Sequence, residues 1–409
     1  MNKSSINYQL ASTLLKNKGN RYSRPIINLS IIGIALGIII MLLSIGITVG
    51  YKTEIRKRVI DMGGHIRISN YDFNYSYEPV PIEIDQINLA ALSRNPDIKA
   101  VLFYSTKVGI IKTDDQVEGI VLKGVDSSFF HTGFANNIIE GKSIVYPNNK
   151  ASQEIVISKK MSQKTNLAIG DKVRTYFVQD PPKQRSFTIV GIYETGLPEY
   201  DDLFAIVDLR QVQKLNNWDS SSVGGVEILL SDFDKMDRTT SFVNKNIGYK
   251  LKAETIKQIY PQIFEWIALF DTNVIVLIII TIFVCLVTLL STFFIIILEE
   301  TRTIGILKAM GMKNSNISYI FLWMAGRIII KGLLAGNFIA LTFAFIQHKY
   351  HLIKLDAATY YVPYIPIDIS VGAVLIINIA VFILCLAALL IPGRIIAKHV
   401  SPVEAIRFE

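Results

Sequence analysis

The sequence predicts an α-helical membrane domain of four transmembrane helices in a 1+3 arrangement, joined to a large α+β extracytoplasmic domain. Three observations carry that prediction. Apolar runs at residues 26–50, 274–298, 317–346 and 367–391 are each long enough to cross a hydrocarbon core of about 30 Å. Residues 51–270, between the first run and the second, are mostly polar. Within them, short β-branched and aromatic runs alternate with turn residues.

Taken in order, residues 1–25 form a cytoplasmic N-terminal segment in which Ile6, Leu10, Leu14 and Leu15 fall near helical spacing. The first apolar run, 26–50, is too long for the core of a cleavable signal peptide, so it is expected to stay as the first span. Ser30, Gly33, Gly37, Ser44 and Thr48 share one face of it, with Met41 on the same stretch. Gly33/Gly37 and Gly46/Gly50 are small-xxx-small pairs, which let helices approach closely in lipid. The stripe serves either tight packing on another span or the wall of a cavity.

In the outer region, 51–270, the stretches 65–69, 101–111, 119–125, 154–158, 171–178, 186–193 and 225–230 read as strands. Glu118-Gly119 and Gly170-Asp171 mark turns. Residues 233–245 read as a helix opened by Ser231 or Asp232, followed by an extended piece at 249–254. At 255–270, Ile256, Ile259, Ile263, Ile267 and Phe270 recur on one side of a helix. It runs almost directly into the second span, 271–298, and so forms a stiff connection. That span has its own polar stripe of Thr281, Cys285, Thr288 and Thr292, whose hydroxyls either bond their own backbone or face a cavity.

A loop at 299–316 leads to the third run, 317–346, which carries Arg327 and Lys331 four residues apart. Its start reads as an interfacial elbow from which both cations snorkel to the surface. A loop at 347–366, a fourth span at 367–391 and a tail at 392–409 follow. Lysines and arginines crowd the N-tail, the 299–316 loop and the C-tail, which places both termini in the cytoplasm and the large domain outside. Lys52, Arg56, Lys57 and Arg58 oppose that assignment, but large translocated domains are less bound by the charge rule.

The net charge of +8 is spread along the chain and flanks the spans, which argues against nucleic acid as a partner. The only two cysteines, Cys285 and Cys385, lie inside spans, so the outer domain has no disulfide. There is no G-x-x-x-x-G-K-[ST] loop, no H-E-x-x-H and no G-x-S-x-G. His348 and His351 with Asp356 nearby make a sparse metal signal. No catalytic residue, metal ligand or cofactor is therefore assigned to this chain. A transporter subunit, a sensor or an anchored binding module remains.

Residues 299–312, EETRTIGILKAMGM, resemble the E-x-x-x-x-I-G-x-L-(K/R)-A-x-G motif of the permeases related to MacB and FtsX, the type VII ABC transporters. The ending 401–409, SPVEAIRFE, is similar to that family's P-x-E-A-(L/I)-R. Within the group the likeness is to the lipoprotein-releasing permeases of the LolC/LolE type. It is carried by Ser23-Arg24-Pro25, Gly63-Gly64-His65-Ile66, Ser231-Asp232-Phe233, YPQIFEW at 260–266 and LDAATYYVP at 355–363.

The resemblance implies a MacB-like porter subdomain at 51–149 and 224–254, a β-rich subdomain inserted at 150–223, and a stalk helix at 255–270. It implies a coupling segment of Glu299, Glu300, Ile304, Gly305, Leu307, Lys308, Ala309, Met310 and Gly311. That segment would be engaged by a LolD-like cytoplasmic ATPase dimer, which binds ATP and Mg. Gly305 and Gly311 bracket an apolar-faced segment, and Gly311 suits a left-handed helix end. A second permease protomer, identical or different, is implied as well. Acylated lipoproteins would leave the inner membrane between first and second spans, with Gly33, Gly37, Met41, Ser44, Thr48, Thr281, Cys285 and Thr288 as cavity candidates. A LolA-like periplasmic carrier would dock on the 177–185 hairpin through Asp180, Pro181, Pro182, Lys183 and Arg185, where two prolines stiffen the tip. MacB-like efflux, FtsX-like regulation of other enzymes and a membrane sensor are the competing readings.

Overall fold

The structure, a computed structural model, describes residues 23–71, 76–113 and 116–399. The N-terminal amphipathic segment and the P-x-E-A-(L/I)-R-like ending lie outside the described residues. The chain divides into two compact units. One comprises residues 1–52, 266–354 and 364–409, and the other residues 53–265 and 355–363.

Seven helices matter below: α1 (Ser23–Gly63), α2 (Leu209–Asn216), α3 (Met236–Asn244), α4 (Pro261–Glu299), α5 (Thr301–Ala309), α6 (Asn314–Tyr350) and α7 (Val371–His399). Four stretches, Pro25–Gly63, Pro261–Glu299, Asn314–Tyr350 and Val371–Leu390, are long and apolar enough to cross a membrane. Helix α1 does not stop at the end of its apolar run. It continues through the Lys52–Arg58 cluster to Gly63, and Gly64 ends it at a φ of +67°.

Two helix expectations need correction. The stalk is not one helix over 255–270. A single turn, Ile256–Ile259, is opened by a Thr255/Gln258 capping box, and the chain then breaks at Tyr260 before α4 starts on Pro261. Proline disfavours the helical conformation in the residue before it and has no N–H to donate, so it suits only the first turn of the next helix. The elbow also is not a separate helix, because α6 runs unbroken for 37 residues.

The helical unit has one apolar core, to which Ile34 and Leu42 of α1, Leu289 and Phe293 of α4, Ile304 of α5, Ile328 of α6 and Val381 of α7 all contribute. Glycines on α6 allow its close approach to α1. A Cβ on Gly332 would lie 2.7 Å from Ile34 Cβ, and one on Gly336 2.7 Å from the Ala35 carbonyl oxygen. This is a small-xxx-small seam between α1 and α6. Asn337 of α6 and Asn378 of α7 exchange reciprocal amide hydrogen bonds of 2.7 and 3.0 Å. The loop between α6 and α7 is pinned by buried Gln347, which donates to the carbonyls of Ile353 and Ile365 and accepts from the Ile353 N–H.

The large sheet of the other unit has ten strands among the described residues: β1 (Ile66–Asn70), β2 (Ile98–Lys112), β3 (Val117–Val125), β4 (Ile138–Gly141), β5 (Glu154–Ser158), β6 (Lys172–Phe177), β7 (Lys183–Tyr193), β8 (Phe204–Asp208), β9 (Gly225–Leu230) and β10 (Leu251–Thr255). Antiparallel β10–β1–β9–β2 form one part, with α3 packed on β10. The 15-residue strand β2 then serves twice. Its first half pairs with β9, while its second half pairs with β3 and with β6.

This second half closes a six-stranded ring, β2–β3–β8–β5–β7–β6 and back to β2. All six strands point apolar side chains into one core, among them Ile111, Leu122, Ile157, Phe177, Phe187 and Val207. The β-rich part is therefore not confined to 150–223, since two of its six strands precede residue 126. The Glu118-Gly119 turn is also corrected, because both residues lie within β3.

Candidate functional site

The segment expected to couple to an ATPase folds as a short amphipathic helix, α5, with a defined end. Gly311 adopts a φ of +87°. Its N–H donates to the Lys308 carbonyl at 2.9 Å, and the Met312 N–H reaches back to the Leu307 carbonyl at 3.0 Å. These two bonds are the paired closure of a Schellman motif, and a non-glycine residue at Gly311 would strain it.

The two faces of α5 differ. Ile304 and Gly305 are buried, with Ile304 inside the helical core and Leu307 packed against it. Glu300, the residue before the helix, is buried too, whereas Lys308 is half-buried. The opposite face presents Ile306, 48% exposed, and Met310, 79% exposed, beside exposed Ala309. The segment predicted as one site thus splits. Ile304, Gly305 and Leu307 hold α5 on its own unit, and Ile306, Ala309 and Met310 form an apolar face turned outward.

The proposed cavity stripes on α1 and α4 meet each other. Ser30 and Thr292 hydroxyls bond across the seam. A Cβ on Gly37 would fall 2.4 Å from Cys285 Sγ and 3.3 Å from Thr281 Cγ2, and one on Gly33 3.3 Å from Thr288 Cγ2. Thr281 and Thr288 donate to the carbonyls four residues back, Leu277 and Val284, at 2.7 and 2.8 Å. Met41 and Thr48 are buried and Ser44 is half-buried. In this conformation Gly33, Gly37, Thr281, Cys285 and Thr288 are a packing seam, not the wall of an open cavity. The reason is steric, since glycine and small polar side chains allow the close approach. Gly46 and Gly50 serve a different contact: the Asp368 N–H donates to the Gly46 carbonyl at 2.9 Å, and a Cβ on Gly50 would fall 2.5 Å from the Pro366 carbonyl oxygen.

The 177–185 hairpin joins β6 to β7. Val178, Asp180, Pro181 and Pro182 are exposed. Lys183 is not available to a partner: its ammonium donates to the Leu215 carbonyl at 3.0 Å, the Lys214 carbonyl at 3.3 Å and Asn217 Oδ1 at 2.6 Å. It caps the C-terminal carbonyls of α2, where a cation is favoured by the helix dipole. Gln179 adds a bond to the Leu215 carbonyl. Arg185 Nη1 donates to the Gln184 carbonyl next to it, and its side chain stays half-buried.

Two family domains match this chain in order. Residues 29–243 match the MacB-like periplasmic core domain, and residues 275–400 the FtsX-like permease C-terminal domain. The chain belongs to the MacB-like periplasmic core domain family. The LolC/LolE-type likeness extends over nearly the whole chain. The lipoprotein-releasing system transmembrane protein LolC of Xylella fastidiosa is 22% identical over 93% of each chain. LolC of Neisseria meningitidis serogroup B is 22% identical over 97% of each. LolE of Haemophilus influenzae is 21% identical over 90% of this chain and 91% of its own length. The crystal structure of the periplasmic region of MacB from Actinobacillus actinomycetemcomitans aligns with 51% of this chain and 97% of its own, at 15% identity and a TM-score of 0.35.

Sequence reasoning missed Gly332, Gly336, Asn337 and Asn378. The signal was present, because Gly332 and Gly336 are spaced as the α1 glycines are, and an asparagine inside an apolar run demands a partner.

Proposed function

We propose that this chain is the membrane subunit of an ABC transporter that extracts acylated lipoproteins from the bacterial inner membrane. The supporting observation is the match to LolC and LolE proteins along more than nine-tenths of their length, with both family domains in order. Both termini would lie in the cytoplasm. Two permease protomers would assemble with a LolD-like ATPase dimer, which supplies ATP and Mg chemistry. The outward apolar face of α5, Ile306 and Met310, is the part of the coupling segment suited to a groove of that ATPase.

Because the α1–α4 seam is packed, extraction would require those helices to part, or the lipid chains would use the exposed faces of α1 and α4. The released lipoprotein would pass to a LolA-like carrier, for which the exposed tip Val178–Pro182 offers the docking edge. Efflux and FtsX-like regulation are less well supported, because the relatives named above are lipoprotein-release proteins. The test is reconstitution in proteoliposomes with the cognate ATPase, a triacylated lipoprotein and the carrier. ATP-dependent transfer of lipoprotein to the soluble carrier supports the proposal, and ATP hydrolysis without transfer counts against it.

A further inference from the structure

Away from the coupling helix, the seam and the hairpin, the sheet-bearing unit contains a cleft of about 170 Å³ between β1, β2, β9 and the residues around Tyr260. Its floor holds charged groups that are rarely buried together. Lys123 and Glu227 are 2% and 1% exposed. The Lys123 ammonium donates to both Glu227 oxygens, at 2.8 and 3.0 Å, and to the Met62 carbonyl. That uses all three ammonium hydrogens and the one buried carboxylate. Burial pushes the Lys123 pKa down, and the Glu227 carboxylate partly restores it.

Arg67 is the cation left over. Its nearest carboxylate oxygen, on Glu227, is 3.9 Å from Nη2, beyond hydrogen-bond reach. Its Nε is buried without an acceptor, and no hydrogen bond from the guanidinium is found among the described residues. The group is instead held over the rings of Tyr104 and Tyr260, at 5.7 and 6.0 Å. At the rim Lys252 and Glu254 pair at 3.0 Å. Among the described residues, the charges lining the cleft are three cations, Arg67, Lys123 and Lys252, against two carboxylates, Glu227 and Glu254, and Arg67 is the one of the three with no hydrogen-bonded carboxylate.

A second donor is also unspent. The Tyr200 and Tyr260 hydroxyls share one hydrogen bond of 2.5 Å, so one of their two hydrogens is left for another acceptor. The walls are apolar or aromatic: Pro79, Val80, Phe204 and Ile259 line the cleft, and Tyr77 packs edge-on to Phe204 at 5.5 Å between ring centres. An unsatisfied guanidinium, a free phenolic hydrogen and apolar walls are the parts of a site for an anion with a small apolar body.

We propose that this cleft binds a small organic acid, its carboxylate on Arg67 and the Tyr200/Tyr260 pair and its apolar body against Val80 and Phe204. The site is independent of the lipoprotein-release reading, since it uses none of the coupling, seam or hairpin residues.

The test is calorimetric titration of the full-length chain in nanodiscs with benzoate, with the neutral isostere benzamide as the control and empty nanodiscs as blank. Saturable benzoate binding at least about tenfold tighter than benzamide is expected, because a charge-assisted bond is lost with the amide. Arg67→Gln should weaken benzoate by about tenfold or more. Val80→Trp, a rim substitution that leaves the buried charges alone, should block it sterically while thermal stability is kept. Equal binding of benzoate and benzamide, no benzoate binding, or binding unaffected by both variants would overturn the proposal.

Discussion

Replacing Gly336 by alanine adds a Cβ that would stand 2.7 Å from the Ala35 carbonyl oxygen and 2.8 Å from Ile38 Cβ. Both neighbours belong to the backbone or the stiff first carbon of a β-branched residue, so neither can swing aside. Moving from 2.7 Å to an ordinary 3.4 Å contact requires α1 and α6 to separate by about 0.7 Å locally. Overpacking of this kind costs about 1–3 kcal/mol. Alanine also raises helix propensity by about 1 kcal/mol, which masks part of the loss. Gly326 on the same helix removes that ambiguity, because a Cβ there meets nothing within 4 Å. The propensity gain is common to both, so Gly336→Ala should be less stable than Gly326→Ala by about 1–3 kcal/mol. Equilibrium unfolding of the full-length chain in mixed micelles, followed by circular dichroism, measures the difference. A gap under about 0.5 kcal/mol would refute the close α1–α6 approach and the seam built on it.

Four further outcomes are expected. Met310→Asp or Ile306→Asp should abolish copurification of the ATPase while leaving the melting temperature within a few degrees, whereas Ile304→Asp should unfold the helical unit; equal loss of stability in all three would remove the two-faced reading of α5. Gly311→Ala should cost about 1–2 kcal/mol locally and speed hydrogen exchange at 306–312, because alanine resists a φ of +87°. Asn378→Leu should cost about 0.6–2 kcal/mol, and a double-mutant cycle with Asn337→Leu should show the two changes to be coupled. His65, buried beside Phe233 and accepting the Leu230 N–H on Nδ1 at 3.1 Å, has its pKa lowered to about 4, first by burial and then by Lys99. The unfolded chain then binds the proton first, so stability should fall as pH drops from about 6.5 toward 4, by up to about 3 kcal/mol. His65→Gln should flatten that slope in pH-dependent melts.

What was legible followed from local pattern. Apolar length located four membrane-spanning candidates, and a glycine after an amphipathic turn foretold the left-handed end of α5. Strand β8 went unread because it pairs with β3 in parallel and with β5 antiparallel, and all five of its residues are buried. A strand covered on both faces loses the alternation that betrays one. The Glu118-Gly119 turn failed for the opposite reason: Gly119 sits at an open position in β3, where nothing lies near its missing Cβ. The Lys123–Glu227 pair could not be read locally, since its partners are 104 residues apart and meet only through the sheet order. The small-residue stripe of α1 was visible, but whether it faced lipid, cavity or helix depended on α4 arriving with a matching stripe. Lys183 shows the same limit, as its capping role on α2 needs the fold of the ring.

The most direct test of lipoprotein release is site-specific photocrosslinking in living cells, with probes at Leu36 on α1 and Val284 on α4, both exposed, and at Pro182 on the hairpin tip. Capture of acylated lipoprotein at the two helix positions that changes when the ATPase is inactivated, with the periplasmic carrier captured at Pro182, is the predicted result. Copurification of the ATPase with no lipoprotein at either helix position would contradict it.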